Sequence, residues 1–262
     1  MDPTLYFKSI EETSPLALIE YSTGRIFRTT RTLGLGDCAS DGILRFDAAA
    51  RITQDIASQD LADSGVADEG VWVVRRTHIR FKGAPRYQDR IAVSTFCAGV
   101  GRAWAQRRTT LESPNGRVEV SSLWVQTDPM SRSPKSLSSN FHQIFGPSAR
   151  GRSTGARLEI AEGQEYETFA WPLRVTDIDV LGHLNNAAYF EALEQIAHRN
   201  DCVRADVAVV FALAEYREGV NSGEEVELRI SHQSPHGFQL DFISLGKNQC
   251  SIVWGTEEDP SR

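Results

Sequence analysis

The stretch Asp177-Ile-Asp-Val-Leu-Gly-His-Leu-Asn-Asn186, followed by Ala187-Ala-Tyr-Phe-Glu-Ala-Leu-Glu-Gln-Ile-Ala197, decides the fold of this chain. The second run has apolar residues at i, i+3, i+4 and i+7, which predicts a helix with one apolar face. Asn185 or Asn186 suits the N-cap, because an Asn side chain can accept hydrogen bonds from free backbone N–H groups. Gly182 permits a backbone conformation that a side chain would block. We therefore predict a polar turn that leads into a helix.

Two side chains of this turn can take part in chemistry. Asp179 and His183 precede a helix N-terminus, where free N–H donors and the helix dipole favour negative charge. A carboxylate, an imidazole and backbone donors are the groups needed to attack a carbonyl and hold the resulting oxyanion. A capped helix with solvated carboxylates would explain each residue singly, but the complete run favours a functional site.

The composition is typical of a soluble globular protein, with 262 residues, 40% hydrophobic residues and a net charge of -7. No segment has the apolar length of a membrane span, and the N-terminus does not resemble a secretory signal. The four cysteines are scattered without a C-x-x-C pair, which predicts reduced thiols rather than a disulfide frame or a metal site. We expect a cytoplasmic protein.

The first half predicts one helix within a series of strands. Residues 25–35 predict a strand, and apolar residues at helical spacing predict a helix that ends near Ala62. Ser113-Pro-Asn-Gly116 predicts a hairpin turn. Runs rich in β-branched and aromatic residues predict four further strands, at 71–82, 89–99, 103–112 and 118–128. This order predicts an α+β unit in which a sheet wraps around one long helix.

The same order starts again after a connector. Residues 131–165 contain much Ser, Gly and Pro and little to bury, which predicts a connecting segment. The second half then predicts a strand at 166–175, the turn, a helix to about His198 and four strands, at 206–217, 224–232, 238–245 and 251–256. We predict a first domain at 1–145, a linker at 146–165 and a second domain at 166–262.

The two halves are an internal repeat. An offset of 140 residues pairs Asp37 with Asp177 and Gly42 with Gly182, and after the helix an offset of 135 pairs Phe81 with Tyr216. A fixed offset with one small change is what a duplication leaves behind. The first half has Ala39 and Ile43 at the positions of the chemical pair. The repeat therefore predicts a single active site, in the second half, whereas turn formation explains the aspartates that both halves carry.

The run D-x-D-x-x-G-H-x-N-N resembles the signature of hotdog-fold acyl thioesterases. Two tandem units, one of them degenerate, resemble the acyl-acyl-carrier-protein (acyl-ACP) thioesterases of plants and bacteria. Two longer stretches of the first half also resemble this family, Gly70-Val-Trp-Val-Val-Arg-Arg-Thr-His-Ile-Arg-Phe81 and Ser122-Leu-Trp-Val-Gln-Thr-Asp-Pro-Met-Ser-Arg-Ser-Pro134. The resemblance implies a tandem (double) hotdog fold, in which each unit is an antiparallel sheet around a long central helix. It also implies hydrolysis of fatty acyl-ACP to free fatty acid and holo-ACP, in fatty acid biosynthesis.

The chain departs from the family's pattern at three polar positions. Leu181 stands where the plant-type enzymes have Asn, and Gly219 and Val220 stand where the family has a Glu-Cys pair. Glu218 fits the Glu position only if the alignment slips by one residue. No cysteine fits the position of a nucleophilic thiol.

These departures leave a mechanism that depends on a carboxylate. We expect Asp179 to activate water or to attack the thioester carbon, with His183 orienting a reactant or moving a proton, and Glu218 as a further candidate. We expect backbone N–H groups from Gly182 to Asn185 to polarise the carbonyl, and Asn186 to cap the helix beside the substrate. This chemistry needs no cofactor and no metal.

A basic segment in the first half suits an acidic partner. Residues 71–108 contain nine Lys or Arg and one acid, in a chain that is acidic overall. Acyl carrier protein is acidic and its pantetheine arm carries a phosphate, so a basic face would speed encounter. We expect five residues to dock the carrier: Arg75, Arg76, Arg80, Lys82 and Arg86. Ordinary solvated strand surface is the alternative, and the absence of any nucleic-acid motif argues against RNA or DNA.

Two other functions stay open at this point. An acyl-CoA thioesterase would use the same chemistry with a different carrier, and a non-catalytic acyl-ACP binding module would explain the missing Asn, Glu and Cys. Two linked hotdog units can also supply the pairing that single units obtain by dimerising, so both a monomer and a homodimer are consistent with the sequence.

Overall fold

The protein is described here from a computed structural model, which covers residues 21–66, 70–152, 158, 160–163, 165–199, 209–234 and 236–257. Its first half follows the predicted order of elements closely. The elements are β1 (Phe27–Thr32), α1 (Phe46–Ser64), β2 (Val71–Gly83), β3 (Arg90–Val100), β4 (Trp104–Ser113) and β5 (Gly116–Thr127). The predicted hairpin joins β4 to β5, with Ser113 paired to Gly116.

A helix that the sequence analysis did not predict follows β5. This helix, α2 (Ser139–Ala149), is capped by the Ser138 hydroxyl, which accepts a hydrogen bond from the N–H of Phe141. Phe141 and Phe145 are buried and pack with Cys97 of β3. The Ser, Gly and Pro content of the connector obscured an apolar stripe at helical spacing. The predicted end of the first domain, residue 145, falls within this helix.

The second half repeats the first. Its elements are β6 (Tyr166–Trp171), α3 (Ala188–Arg199), β7 (Val209–Tyr216), β8 (Val226–Ser234), β9 (Gly237–Ser244) and β10 (Lys247–Glu257). The predicted strand at 166–175 is shorter than expected: it ends at Trp171, directly before Pro172, which has no N–H to donate to the ladder. Residues Val175–Asp177 form one turn of 3-10 helix. The first three residues of the predicted strand at 206–217 lie outside the described residues.

The strands of the described residues form one antiparallel sheet that runs through both halves. Its order is β1-β3-β4-β5-β2-β7-β10-β9-β8-β6. The halves meet where β2 pairs with β7, from Arg76 opposite Glu215 to Lys82 opposite Val209. Each half therefore contributes five strands, and the seam is an ordinary ladder of backbone hydrogen bonds.

The two long helices share one core with the sheet. Apolar residues of α1 (Ile52, Ile56) and of α3 (Leu193, Ile196) belong to a single buried cluster. The helices also touch directly: the rings of Phe46 and Phe190 stack with centroids 6.4 Å apart. Because the two halves bury each other's helix, the turn that precedes α3 is fixed by both of them.

The turns that precede α1 and α3 have the same backbone pairing. Cys38 pairs with Leu44 as Ile178 pairs with Leu184, and Ile43 pairs with Arg86 as His183 pairs with Asn221. These pairs confirm the sequence offsets of 140 before the helix and 135 after it. The duplicated scaffold thus places Asp179 and His183 beside the loop that joins β7 to β8.

Candidate active site

The turn from Asp179 to His183 is closed by its own backbone. The N–H of Asp179 donates to the carbonyl of His183 at 2.9 Å, and the N–H of Gly182 donates to the carbonyl of Asp179 at 3.0 Å. Gly182 has a φ of 80°, a conformation that other residues adopt only with strain. Among the described residues, the Asp179 carboxylate accepts one hydrogen bond, from the N–H of Leu181 at 2.8 Å. One oxygen of a half-buried carboxylate is therefore tied to the turn.

Asn185 organises the approach to α3. Its N–H donates to the carbonyl of Asp177 at 2.8 Å, and its side-chain oxygen accepts from the N–H of Ala187 at 2.9 Å. Asn186 contributes its carbonyl instead, which accepts from the Tyr216 hydroxyl at 3.0 Å. Of the two candidate capping residues, Asn185 makes the side-chain contact.

The loop after β7 forms the facing wall of the site. The N–H of Leu184 donates to the carbonyl of Val220 at 2.8 Å, and the N–H of Val220 hydrogen-bonds to the buried hydroxyl of Tyr189. Burial raises the pKa of Tyr189, so this phenol stays neutral. Val220 is fully buried, so the family's Cys position holds an apolar packing residue.

The imidazole of His183 lies against Gly219. A Cβ atom added to Gly219 would come within 3.0 Å of the His183 ring. His183 is half-buried, and its ring makes no hydrogen bond with any residue that the structure describes. The position where the family has Glu therefore provides a bare backbone surface on which the ring rests.

Glu218, the residue before Gly219, has an exposed side chain. It is 65% exposed, and its partner among the described residues is Lys247 at 3.8 Å. Among the described residues, no hydrogen bond or ion pair joins Glu218 to Asp179 or His183.

Most of the backbone donors expected to polarise a carbonyl are already in use. Within the described residues, the N–H groups of Gly182, Leu184 and Asn185 donate to carbonyls of the site itself, whereas the N–H of His183 has no such acceptor. Of the four N–H groups expected to polarise the carbonyl, from Gly182 to Asn185, the N–H of His183 is the one still available as a donor.

Asn221 and Glu224 border His183 and were not among the predicted site residues. The Asn221 amide donates to the Glu224 carboxylate at 2.5 Å, and the Ser244 hydroxyl donates to the other carboxylate oxygen at 2.8 Å. The pKa of Glu224 lies below its usual value, first because Asn221 donates to it and in part because His183 is near. The sequence offset of 135 aligns Arg86 with Asn221 and Asp89 with Glu224, but it does not by itself place either residue beside His183.

The aspartate common to both halves holds the backbone of each turn. Asp177 accepts from the N–H of Arg174 at 2.9 Å, and Asp37 accepts from the N–H of Gly34 at 2.8 Å. Each also pairs with an arginine, Arg174 or Arg31. This confirms that turn formation explains these two residues.

Models of one family match both halves of the chain. The acyl-ACP thioesterase N-terminal domain matches residues 24–145, and the acyl-ACP thioesterase C-terminal domain matches residues 160–254. The chain belongs to the acyl-ACP thioesterase family. The family assignment expected from the sequence is thereby confirmed.

Relatives in sequence include characterised and uncharacterised proteins. An uncharacterised protein of Mycobacterium tuberculosis is 28% identical over 224 residues, covering 82% of this chain and 86% of its own length. The chloroplastic oleoyl-acyl carrier protein thioesterase 1 of Arabidopsis thaliana is 24% identical over 217 residues, covering 70% of this chain and 60% of its own.

Solved structures confirm the tandem double hotdog fold. An acyl-ACP thioesterase from Bacteroides thetaiotaomicron superimposes with a TM-score of 0.74 at 17% identity, covering 88% of this chain and 98% of its own. The 12:0-ACP thioesterase from Umbellularia californica gives a TM-score of 0.69 at 17% identity, covering 90% of this chain and 99% of its own. At these identities the likeness concerns the fold alone.

The predicted docking residues of this acyl-ACP thioesterase family member differ in their exposure. Arg76 is buried against Glu215 at 2.9 Å, and half-buried Arg75 donates to the carbonyl of Arg217 at 2.5 Å. Arg80 is half-buried, and burial lowers the pKa of both Arg75 and Arg80. Lys82 and Arg86 are exposed.

None of the helices in the described part of the chain combines the length and the apolar character that crossing a membrane would need.

Proposed function

We propose that the chain hydrolyses fatty acyl thioesters carried by acyl carrier protein, releasing free fatty acid and holo-ACP. The observation that carries this proposal is the placement of Asp179 and His183 on one closed turn, nine and five residues before the first residue of α3. The equivalent positions of the duplicated first half are Ala39 and Ile43. Family membership supports the reaction class.

The chemistry would centre on the carboxylate of Asp179. Its oxygen that is not tied to Leu181 can take a proton from water, or attack the thioester carbon itself. The carbonyl oxygen would gain negative charge as the carbon is attacked, and the N–H of His183 is available to donate to it. The C–S bond then breaks, and the thiolate of the carrier takes a proton that the His183 imidazole can supply. If Asp179 activates water, the fatty acid forms directly, and the proton that Asp179 took from water restores the imidazole. If Asp179 attacks, water hydrolyses the resulting mixed anhydride, which releases the fatty acid, regenerates the carboxylate and returns a proton to the imidazole.

The carrier would meet the chain at Lys82 and Arg86. Both side chains are exposed, and Arg86 lies opposite Ile43 in the turn that precedes α1. Two positive charges can attract an acidic carrier or its phosphate, although the buried Arg76 cannot. We also propose that the enzyme acts in a reducing compartment such as the cytoplasm, which suits the free, buried Cys38, Cys97 and Cys250.

A non-catalytic acyl-ACP binding module is the second candidate. The observation that favours it is the loss of polar side chains at Leu181, Gly219 and Val220, the last of which is fully buried. Such a module would bind acyl-ACP without turnover.

Free-thiol release from matched acyl-ACP and acyl-CoA substrates tests this proposal. We expect turnover on both carriers, with a higher kcat/KM for acyl-ACP at low salt because of the exposed basic residues. Equal kcat/KM on the two carriers would make the chain a general acyl thioesterase. Saturable binding of acyl-ACP without thiol release would overturn hydrolysis in favour of the binding module.

A further inference from the structure

The imidazole ring of His183 is supported on one face and lacks a hydrogen bond from any described residue. Gly219 supports one face of the imidazole, and no described residue hydrogen-bonds to the ring. A catalytic imidazole must be kept in one orientation, because small displacements of a reacting group reduce the rate strongly. A neighbouring group that restricts the ring is therefore needed.

Asn221 is the side chain best placed to do this. His183 and Asn221 pair across two antiparallel segments, and the neighbouring N–H of Leu184 donates to the carbonyl of Val220. In this arrangement the paired residues do not exchange hydrogen bonds with each other, and their side chains stand on one face at the shortest cross-strand spacing. The pairing therefore places the Asn221 side chain on the same face as the imidazole, directly across from it.

Glu224 fixes the Asn221 amide. One carboxylate oxygen accepts from Asn221 at 2.5 Å and the other accepts from Ser244 at 2.8 Å. The backbone adds a third link, since the N–H of Glu224 donates to the carbonyl of Asn221 at 3.2 Å. A carboxylate held at both oxygens leaves the amide little rotational freedom.

The first half contains a carboxylate that holds the equivalent turn without an imidazole beside it. There Asp89 occupies the position of Glu224 and accepts from the N–H of Arg86 at 2.8 Å and from Asn115 at 2.9 Å. The turn that contains Asp89 faces Ile43, whose aliphatic side chain has no ring to orient and no proton to exchange. In both halves a carboxylate therefore holds the loop. In the second half this carboxylate, Glu224, binds the side-chain amide of Asn221, the residue paired with His183.

We propose that Glu224 is a positioning residue for His183, acting through the side chain of Asn221. The catalytic consequence rests on the proposed thioesterase function, whereas the positioning itself does not.

The test compares Glu224→Gln, Asn221→Ala and the matched control Asp89→Asn in the full chain. Thiol release from an acyl-pantetheine thioester gives kcat and KM without carrier docking, and NMR spectra of the His183 imidazole report the ring directly. We expect kcat to fall roughly 10- to 100-fold for Glu224→Gln and Asn221→Ala with little change in KM. The imidazole signals should move in both variants and stay unchanged in Asp89→Asn.

The NMR spectra test the positioning role of Glu224, and the thiol-release assay tests the thioesterase function. Imidazole signals that move in Glu224→Gln but not in Asp89→Asn support the positioning role, even if the wild type releases no thiol and the thioesterase proposal fails. Imidazole signals that are identical in Glu224→Gln and wild type would overturn the positioning role, whatever the turnover. A loss of stability shared by Glu224→Gln and Asp89→Asn, with an unchanged kcat, would assign Glu224 to turn formation alone.

Discussion

The turns ahead of α1 and α3 have the same backbone and different side chains. The N–H of Ala39 donates to Ile43 and the N–H of Asp179 donates to His183, at 2.8 and 2.9 Å, and the glycines that close the two turns both have a φ of 80°. In the first turn the side chain that faces the loop is buried Ile43, whereas in the second it is half-buried His183. The duplication therefore kept one backbone scaffold, and its second copy has Asp179 and His183 where the first has Ala39 and Ile43.

The largest expected effect separates the carboxylates of the two turns. Asp179→Asn keeps the shape of the side chain and removes its charge, so kcat for thiol release should fall roughly 10²- to 10⁴-fold. The matched control is Asp41→Asn, because Asp41 accepts from the N–H of Ile43 as Asp179 accepts from that of Leu181. The control should keep its kcat. Equal losses of kcat in the two variants would mean that Asp179 has no catalytic role beyond that of a turn residue such as Asp41.

A second comparison uses the aspartate that the turns have in common. Asp37→Asn and Asp177→Asn each remove a charged acceptor that holds a backbone N–H and an arginine, so each should lower the free energy of unfolding by about 1–3 kcal/mol. Urea denaturation measures both. The loss should be larger for Asp177, which is the more buried of the two. A loss in only one variant would show that the two scaffolds are not energetically equivalent.

Gly219→Ala should have a smaller and purely local effect. The new Cβ atom would stand 3.0 Å from the His183 ring, which must shift by a few tenths of an ångström. We expect kcat to fall about three- to tenfold, with little change in stability. The corresponding residue of the first half, Ala84, already has a Cβ atom, so Ala84→Gly should leave kcat per folded protein unchanged. An unaltered kcat in Gly219→Ala would remove the imidazole position from the mechanism.

The smallest expected effect concerns the two exposed basic residues of the first half that are proposed to dock the carrier. Lys82→Glu and Arg86→Glu should each raise KM for acyl-ACP a few-fold at low salt, without changing KM for acyl-pantetheine. Arg28→Glu, on exposed β1 outside the basic segment, provides the same charge change as a control. A similar KM increase in all three variants would indicate net charge rather than docking.

The scaffold could be predicted from the sequence because it depends on periodic patterns. Alternating apolar residues and a constant offset of 140 identified the strands, the long helices and the paired turns. Helix α2 was missed, since Ser and Pro around Phe141 and Phe145 resemble a connector when the sheet that buries them is not yet known. Local composition does not report which surface a segment will cover.

The candidate site could be predicted only in part. Asp179 and His183 lie within one short motif, so their proximity followed from sequence. Asn221 and Glu224 reach the site from a loop more than thirty residues away, through a pairing with His183 that only the folded sheet creates. The buried position of Arg76 likewise depends on Glu215 of the neighbouring strand, which no pattern in the basic segment reveals.

The most direct test of the single-site claim is an NMR titration with a non-hydrolysable thioether analogue of acyl-pantetheine, which involves no carrier protein. We predict one ligand per chain, with backbone amide shifts in residues 179–184 and 218–224 and unchanged shifts in residues 39–44 and 84–89. Two ligands per chain, or shifts of equal size in the turn that contains Ala39 and Ile43, would contradict the proposal that only the second half of the duplicated scaffold carries the site.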